Sequence, residues 1–418
     1  MLKGKTVIEL TDVKTGQVER FQDENIVTNA LQEYMEALCL IFSADTRDQY
    51  FPIYKNALGG IRLYETALEE SVTNVLMPSV GQSKTVGYAS STVKTNADAR
   101  RGNLNQQETT VLDNGVQLVW DFATSEANGT IACVCLTPKE NGVDVCSPIG
   151  GSLYSLGSTI GMYGNIFGID EENGWLYTHT GAKALKCKFI PNNISLQKEG
   201  FFKPFEIIEV LGEWAFNTNV YNYYRLLDAN TIYCIYAINS TNLREYRINL
   251  QTGEKTEIAY TVQNASFYNG VYSYRFGNYT LVPHSGGKKM YKVNLSNISD
   301  VTLIDIPELV IDARTRTDCV VFRLQNGDAM YGNAIIEVAS GSYDTMFSQP
   351  NYSSYSPCVA KYKGYKVLGG EPKGYNSPTN LQADAEMLMT INNLQTPVTK
   401  TADKTMKITY TLLESESV

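Results

Sequence analysis

The segment Tyr246-Arg247-Ile248-Asn249 (YRIN) recurs 45 residues later as YKVN at 291–294 and, more loosely, after a further 45 residues as IEVA at 336–339. A second set of similar segments lies upstream of these three, namely YRL at 224–226, YRF at 274–276 and FRL at 322–324. Each unit is predicted to form two successive strand-turn-strand pairs. Four short strands at a period of about 40 to 50 residues are typical of a β-propeller blade, which buries its faces only by stacking on its neighbours.

The repeats predict a β-propeller-like domain of about five blades over residues 149–375. Four units are visible, the earliest around IFGID at 166–170, and CVAKYKGYKVL at 358–368 supplies a fifth. The alternative interpretation is an irregular all-β domain whose hairpins resemble one another by chance.

The two ends of the chain carry alternating apolar patterns of their own. Leu118, Trp120 and Phe122 alternate with more polar residues, and the segment TIACVCLT at 130–137 is apolar on both faces. Near the other end Met406, Ile408, Tyr410 and Leu412 alternate in the same way, so that strand must bury one face. We therefore predict one β-sandwich-like attachment domain made from both termini, residues 1–148 plus 376–418, with the middle inserted.

Helical spacing occurs at one place near the N-terminus. Apolar residues from Val27 to Phe42 recur at intervals of three and four, and Asn29 with Gln32 forms a capping-box pattern. The predicted fold class is therefore all-β with one helix near the N-terminus.

Composition excludes several classes of function. The 418 residues contain 35 Lys and Arg against 44 Asp and Glu, a formal charge of −9, which argues against nucleic acid as a partner. No stretch reaches the roughly 18 apolar residues of a membrane helix, and the opening residues lack a signal-peptide core, so we expect a protein made in the cytoplasm and not inserted in a membrane. The eight cysteines contain no C-x-x-C pair and are predicted to be reduced and buried, with disulfides as the alternative.

Catalytic or metal chemistry finds little support. The two histidines, His179 and His284, exclude a zinc site built from more than two imidazoles, and neither lies beside a nucleophile elbow. The glycine-rich stretch at 150–168 lacks the Gly-Lys-Ser/Thr ending of a phosphate loop. The acidic segment DEENG at 170–174 fits either a hairpin turn or a calcium or glycosidase site. We predict no catalytic residue, no metal and no cofactor.

Tyrosine is the most unusual component, with 28 residues against 14 Phe and 3 Trp. Tyrosines gather before two of the repeats at similar offsets. Rings with a polar tip give rigid contact area at low entropic cost, which suits recognition of a sugar or a protein. The receptor-binding candidates are Tyr221, Tyr223, Tyr224, Tyr268, Tyr272 and Tyr274. The competing interpretation is that these rings pack the interior of the repeats.

Three stretches resemble a known group of proteins. They are GKTVIELTDVKTGQVERFQDENIVTNAL at 4–31, NGVQLVWDFATSEANGTIACVCLT at 114–137 and NNLQTPVTKTADKTMKITYTLLE at 392–414. They are similar to segments of tail-associated structural, tail-fibre-like proteins of phages and prophages of gut Firmicutes. The resemblance implies that the outer segments form a virion attachment module, while the middle faces the host. It supplies no catalytic residues.

The resulting hypothesis is a bacteriophage virion tail protein, a tail fibre or receptor-binding component that acts by adhesion. Its expected location is the tail of the virion after synthesis in the host cytoplasm. Its expected partners are other tail proteins, a host cell-surface glycan or protein, and further copies of itself in a homo-oligomer. The alternatives are a baseplate or tail scaffold without receptor contact, a propeller-type glycan depolymerase, and a bacterial cytoplasmic propeller scaffold.

Overall fold

The structure is a computed structural model. It describes residues 2–31, 58–90, 94, 98–113, 115–138, 167–180, 183–191, 205–216, 224–311, 321–345, 358–362, 365–368, 380–383 and 387–414. Nearly all regular structure in these residues is β, which confirms the predicted fold class at that level. Helical backbone occurs at residues 29–31 and at Leu58. Val27 still belongs to a strand, so the first helical residue is Asn29, where the capping box was predicted. The rest of the predicted helix, 32–42, lies outside the described residues.

The strands are numbered in chain order. The N-terminal ones are β1 (Leu2–Asp12), β2 (Val18–Val27), β3 (Gly60–Tyr64), β4 (Thr85–Ala89), β5 (Asn103–Leu104), β6 (Thr110–Leu112), β7 (Gly115–Phe122) and β8 (Gly129–Thr137). The middle contains β9 (Gly168–Asp170), β10 (Trp175–Thr180), β11 (Lys183–Pro191), β12 (Phe205–Ala215), β13 (Arg225–Asp228), β14 (Thr231–Ala237), β15 (Asn242–Asn249), β16 (Lys255–Thr261), β17 (Tyr272–Ser273), β18 (Arg275–Phe276), β19 (Tyr279–Pro283), β20 (Lys289–Asn294), β21 (Val301–Asp305), β22 (Phe322–Arg323), β23 (Ala329–Tyr331), β24 (Ala334–Ile336), β25 (Tyr343–Thr345), β26 (Cys358–Tyr362), β27 (Tyr365–Leu368) and β28 (Asn380–Ala383). The last two strands are β29 (Thr390–Lys400) and β30 (Lys404–Glu414).

Both ends of the chain meet in one ten-stranded sheet, here called the terminal sheet. Its order is β4-β3-β8-β29-β2-β1-β30-β7-β5, with β6 beside β7. Strand β30 lies between β1 and β7, and Ile408 is opposite both Ile8 and Trp120, all three fully buried. The prediction that the last strand joins the sheet made by the N-terminal segment is confirmed. The division into domains at 148/149 and 375/376 stays a prediction.

The terminal sheet is nearly closed and barrel-like. On its edge strand β4, the backbone of Tyr88 bonds to the segment that leads into β5 at the opposite edge. Tyr88 N donates to Arg100 O at 3.0 Å, and Tyr88 O accepts from Gly102 N at 3.0 Å. Closing a sheet on itself satisfies edge groups that would otherwise be exposed. The predicted sandwich arrangement is therefore not confirmed, because these strands form one continuous sheet.

The middle of the chain forms five small antiparallel sheets in succession, here called inserted sheets 1 to 5. They consist of β9–β12, β13–β17, β18–β21, β22–β25 and β26–β28. The repeat residues Tyr246, Tyr291 and Ile336 lie on β15, β20 and β24, each the third strand of its sheet, as predicted. The arrangement of these sheets as propeller blades stays a prediction.

Neighbouring inserted sheets share apolar clusters. Tyr177 of sheet 1 packs in one cluster with Ile232 of sheet 2, and Tyr233 of sheet 2 packs in another with Val293 of sheet 3. A third cluster joins sheets 3 and 4. Stacking therefore buries both faces of the inner sheets, as a β-repeat requires.

The terminal sheet packs against inserted sheet 4. Their shared cluster contains Tyr64, Met77 and Cys135 from one side and Leu324 and Met330 from the other. Arg100 and Asp344 add an ion pair of 2.6 Å across this joint. The last inserted units are thus tied to the sheet that holds both termini.

The described cysteine thiols are free and buried, in agreement with their predicted state: Cys133, Cys135, Cys187 and Cys234. The other four thiols lie outside the described side chains. Within the described ranges, no helix is long and apolar enough to cross a membrane.

Candidate functional site: a tyrosine cluster on inserted sheet 2

Three tyrosines stack on one face of inserted sheet 2 and are here called the tyrosine cluster: Tyr236, Tyr246 and Tyr272. Tyr236 and Tyr272 are directly opposite each other in the β14–β17 pair. Tyr246 is opposite Cys234, two residues from Tyr236 and therefore on the same face. The ring centroids of Tyr236 and Tyr272 are 5.3 Å apart, and those of Tyr236 and Tyr246 are 6.1 Å apart with 21° between the planes.

The tyrosine cluster lies at the border between the interior and solvent. Tyr246 is 9% exposed, while Tyr236 and Tyr272 are half-buried at the border of the apolar cluster that joins sheets 1 and 2. Burial is the main cause that raises the pKa of Tyr236 to about 12, with Tyr246 next to it contributing. The phenol is therefore neutral at physiological pH and keeps its hydrogen-bond donor.

A compensated ion pair flanks the tyrosine cluster. Arg244 is opposite Tyr236 across the β14–β15 pair and contacts Glu257 of β16 through its guanidinium. Both side chains are more than a third exposed, so the pair contributes little to stability. Because the charge of Arg244 is matched, this edge of the cluster offers aromatic and hydroxyl chemistry rather than a net charge.

The opposite face of β15 carries a buried carboxylate that holds this sheet to the next one. Glu245 is fully buried and accepts from Arg247 Nε at 2.8 Å, Arg275 Nε at 2.9 Å, Arg275 Nη2 at 3.1 Å and the Tyr260 hydroxyl at 2.7 Å. Burial by itself favours the neutral acid, but these donors outweigh it and lower the pKa of Glu245. The network fixes β15, and with it the ring of Tyr246, relative to inserted sheet 3.

Two of the predicted binding residues are packing residues. Tyr224 is fully buried, and its ring centroid lies 4.8 Å from that of Phe216. Tyr274 is 8% exposed, and its hydroxyl accepts from Arg225 Nε at 2.6 Å. At these two positions the ring fills the space between repeats instead of presenting a face to solvent.

Of the other four candidates, two lie within the described residues and two do not. Tyr268 and Tyr272 are half-buried, and Tyr268 packs against the apolar cluster between sheets 3 and 4, away from Tyr272. Tyr221 and Tyr223 lie outside the described residues. A role in receptor binding stays a prediction for all of them, and of the two that are described, Tyr272 belongs to the tyrosine cluster.

Sequence reasoning missed Tyr236 and Tyr246 as members of the site. The sequence prediction selected tyrosines that lie close together before each repeat. Tyr236 and Tyr246 are instead placed beside Tyr272 by the register of paired strands. The usable signal was the alternation Cys234, Tyr236 on one strand and Arg244, Tyr246 on the next. That pattern places both rings on one face, but only the pairing of β14 with β17 brings Tyr272 beside them.

The other side chains considered for catalysis or metal binding take part in ordinary packing and turn contacts. His179 is 3% exposed and stacks on Phe167 at 5.5 Å, and His284 Nδ1 accepts from Gly286 N at 2.8 Å within a hairpin turn. Asp170 accepts from Asn173 N at 3.0 Å, the geometry of an ordinary turn. Within the described part of the chain, no three His, Cys, Asp or Glu side chains group as metal ligands.

Comparison with known proteins adds little. No family model matches the chain, and no curated protein matches it. Among solved structures, AztD from Citrobacter koseri aligns over 82% of this chain and 99% of its own, with 8% identity and a TM-score of 0.22. The apo form of the same protein aligns over 81% and 99%, with 8% identity and a TM-score of 0.23. A likeness at this level is too low to assign a fold or a function.

Proposed function

We propose that this chain is a non-catalytic adhesion protein of a bacteriophage tail, a tail fibre or receptor-binding component. In this proposal the terminal sheet attaches to other tail proteins, and the inserted sheets form a β-propeller-like body that meets the host surface. The observation that carries the adhesive part is the tyrosine cluster, three rings in contact at the border between interior and solvent.

The chemistry of the tyrosine cluster suits a neutral glycan. The half-buried rings of Tyr236 and Tyr272 offer apolar faces on which the C–H face of a sugar ring can stack, and their hydroxyls can bond to sugar hydroxyls. The rings are held by their neighbours, so little conformational entropy is lost on binding. The acidic chain, with its net charge of −9, offers no general attraction to an anionic wall.

The test compares two substitutions with a matched control. Tyr272→Ala and Tyr236→Ala are expected to weaken adsorption to host cells by roughly thirtyfold, the effect of losing an anchor worth about 2 kcal/mol. Tyr279→Ala removes another half-buried ring, on inserted sheet 3, and should leave adsorption unchanged. Melting temperatures of all three variants separate lost binding from lost folding.

The outcomes distinguish the alternative functions. Unchanged adsorption with a lowered melting temperature in Tyr272→Ala would assign the ring to packing and favour a tail scaffold without receptor contact. New reducing ends after incubation of the purified protein with host wall polysaccharide would instead favour a glycan depolymerase. The first result contradicts the adhesive role proposed for the tyrosine cluster, and the second contradicts a non-catalytic function.

A further inference from the structure

Two carboxylates meet one hydroxyl at the joint between the terminal sheet and inserted sheet 4. Ser79, in the loop between β3 and β4, places its Oγ 2.6 Å from Asp328 Oδ1 and 3.1 Å from Glu337 Oε1. Asp328 precedes β23 and is 2% exposed, while Glu337 follows β24 and is half-buried. The three residues are here called the Ser79 contact.

When both carboxylates are ionised, the Ser79 contact has only one hydrogen for two close pairs of oxygen atoms, so one pair cannot form a hydrogen bond. The Ser79 hydroxyl has one hydrogen, and the 2.6 Å separation assigns it to Asp328 Oδ1. The other oxygen of Asp328 accepts from Val80 N at 2.9 Å. A lone pair of Ser79 then faces Glu337 Oε1, and two acceptors in contact repel each other. A proton on Asp328 Oδ1 turns this repulsion into a chain in which Asp328 donates to Ser79 and Ser79 donates to Glu337 Oε1.

The surroundings of the Ser79 contact supply donors but no countercharge. The second oxygen of Glu337 accepts from the Ser340 hydroxyl, and Asn326 Nδ2 lies 3.4 Å from Asp328 Oδ2. Within the described residues, no Lys or Arg forms an ion pair with either carboxylate. Two cations lie at the same joint. Arg100 is bound to Asp344 at 2.6 Å, an ion pair that needs no added proton, and Lys84 lines a cavity together with Ser340 and Asp344.

We propose that the Ser79 contact is a proton-sensitive latch, which holds the terminal sheet against inserted sheet 4 more tightly in mild acid than at neutral pH. This inference concerns the joint and does not depend on the adhesive role of the tyrosine cluster. Burial, opposed in part by the Ser79 and Val80 donors, raises the pKa of Asp328, and the negative charge of Glu337 acts in the same direction. A carboxyl whose pKa is raised in the folded state binds its proton more readily there, so its protonation stabilises the joint as the pH falls.

The experiment follows hydrogen exchange at the Val80 amide, which donates to Asp328. Full-length protein is compared at pH 7.5 and pH 5.0 in the presence of EDTA, with rates corrected for intrinsic exchange. The wild type is expected to protect this amide about fivefold better at pH 5.0, the effect of gaining one hydrogen bond at the joint. Asp328→Asn and Glu337→Gln each remove one charge, so their protection should be nearly equal at the two pH values.

Protection of the Val80 amide at pH 7.5 and a control variant distinguish the possible outcomes. At pH 7.5 Asp328→Asn and Glu337→Gln should protect Val80 at least as well as the wild type, because the repulsion is gone. Asp344→Asn breaks the neighbouring ion pair and should keep the wild-type pH dependence on a loosened joint. If the wild type shows no pH dependence, or if both amide variants lose protection at pH 7.5, the latch does not exist.

Discussion

A single buried lysine gives the terminal sheet a measurable pH dependence. Lys400 is 1% exposed, and its Nζ donates to Thr124 O at 3.1 Å and Asn128 Oδ1 at 2.9 Å. Burial is the main cause that lowers the pKa of Lys400 to about 8. The unfolded chain therefore binds more protons than the folded one between about pH 8 and pH 10, and stability contributed by this residue rises with pH across that window.

We expect the free energy of unfolding to increase by about 1 to 2 kcal/mol between pH 7.5 and pH 9.5 through Lys400. Chemical denaturation at the two pH values measures this increase. Lys400→Met should flatten the curve, because the group that titrates is absent. Lys404→Met is the control, since Lys404 is paired with Glu19 at the surface and its pKa is raised rather than lowered. An equally steep rise in Lys400→Met would contradict the assignment.

The buried carboxylate of Glu245 predicts a loss of stability in acid, which is the same sign of pH dependence as for Lys400 but in a lower pH range. Its pKa is lowered by Arg247, Tyr260 and Arg275, so its contribution to stability is present above the unfolded-state pKa and is lost as the pH falls through the folded-state value. Glu245→Ala leaves the buried donors without an acceptor and should cost about 3 to 5 kcal/mol. Glu257→Ala breaks the exposed pair with Arg244 and should cost at most about 1 kcal/mol. Similar losses in both variants would show that the Glu245 network is not tightly coupled.

Side-chain partners such as those of Glu245 were beyond sequence reasoning, whereas strand positions were not. The 45-residue spacing placed Tyr246, Tyr291 and Ile336 on equivalent strands because a repeated backbone forces a repeated pattern of burial. Arg225 and Arg275 occupy equivalent first-strand positions but bond differently: Arg225 reaches Tyr274, and Arg275 reaches Glu245. The residue equivalent to Tyr274 in the next unit is Phe322, which has no hydroxyl to accept. Such differences depend on the neighbouring sheet, which local pattern does not reveal.

At the scale of elements, strand β30 is central to the terminal sheet. It pairs with β1 over 11 positions and with β7 over eight, and Met406, Ile408 and Tyr410 of this strand are almost fully buried. Removing it would expose two further strand edges and the apolar face that it covers. The N-terminal strands therefore depend on a segment nearly 400 residues away in sequence.

Deletion of residues 400–418 should consequently unfold β1 and β7 as well as the end of the chain. Hydrogen exchange across β1 and near-ultraviolet circular dichroism of Trp120 report on this directly. The matched control deletes residues 415–418, which follow the last strand, and should leave both signals unchanged. A chain that lacks 400–418 yet retains the protection of β1 would show that the N-terminal strands form a stable unit on their own.

The alternation at both chain ends predicted this element pairing but not its closure. Apolar residues at every second position of β7 and β30 require a buried face, and joining both strands in one sheet with that face toward a common interior is the economical solution. The nearly closed form depends on Tyr88, whose backbone bonds to Arg100 and Gly102 in a polar segment without useful periodicity. Closure is thus decided by backbone hydrogen bonds in a loop, which carry no hydropathy signal.

At the scale of the whole molecule, the described residues couple the terminal sheet to inserted sheet 4 through an apolar cluster and several polar contacts. Met330 of inserted sheet 4 is fully buried in the cluster that also contains Tyr64 and Met77 of the terminal sheet. Arg100 with Asp344 and the Ser79 contact border this cluster. Because the joint is mainly apolar, its strength should respond to lost volume as an interior does.

Met330→Ala should therefore lower stability by about 2 to 5 kcal/mol and weaken the coupling between the terminal sheet and the inserted sheets. Differential scanning calorimetry is expected to show one transition for the wild type and two for the variant, because each part keeps its own core. Val293→Ala is the matched control: Val293 is fully buried between inserted sheets 2 and 3, away from the joint, and its loss should lower the melting temperature without splitting the transition. If Val293→Ala also splits the transition, the inserted sheets themselves unfold independently. If Met330→Ala melts in one step, the polar contacts of the joint are enough to keep the terminal sheet and the inserted sheets coupled.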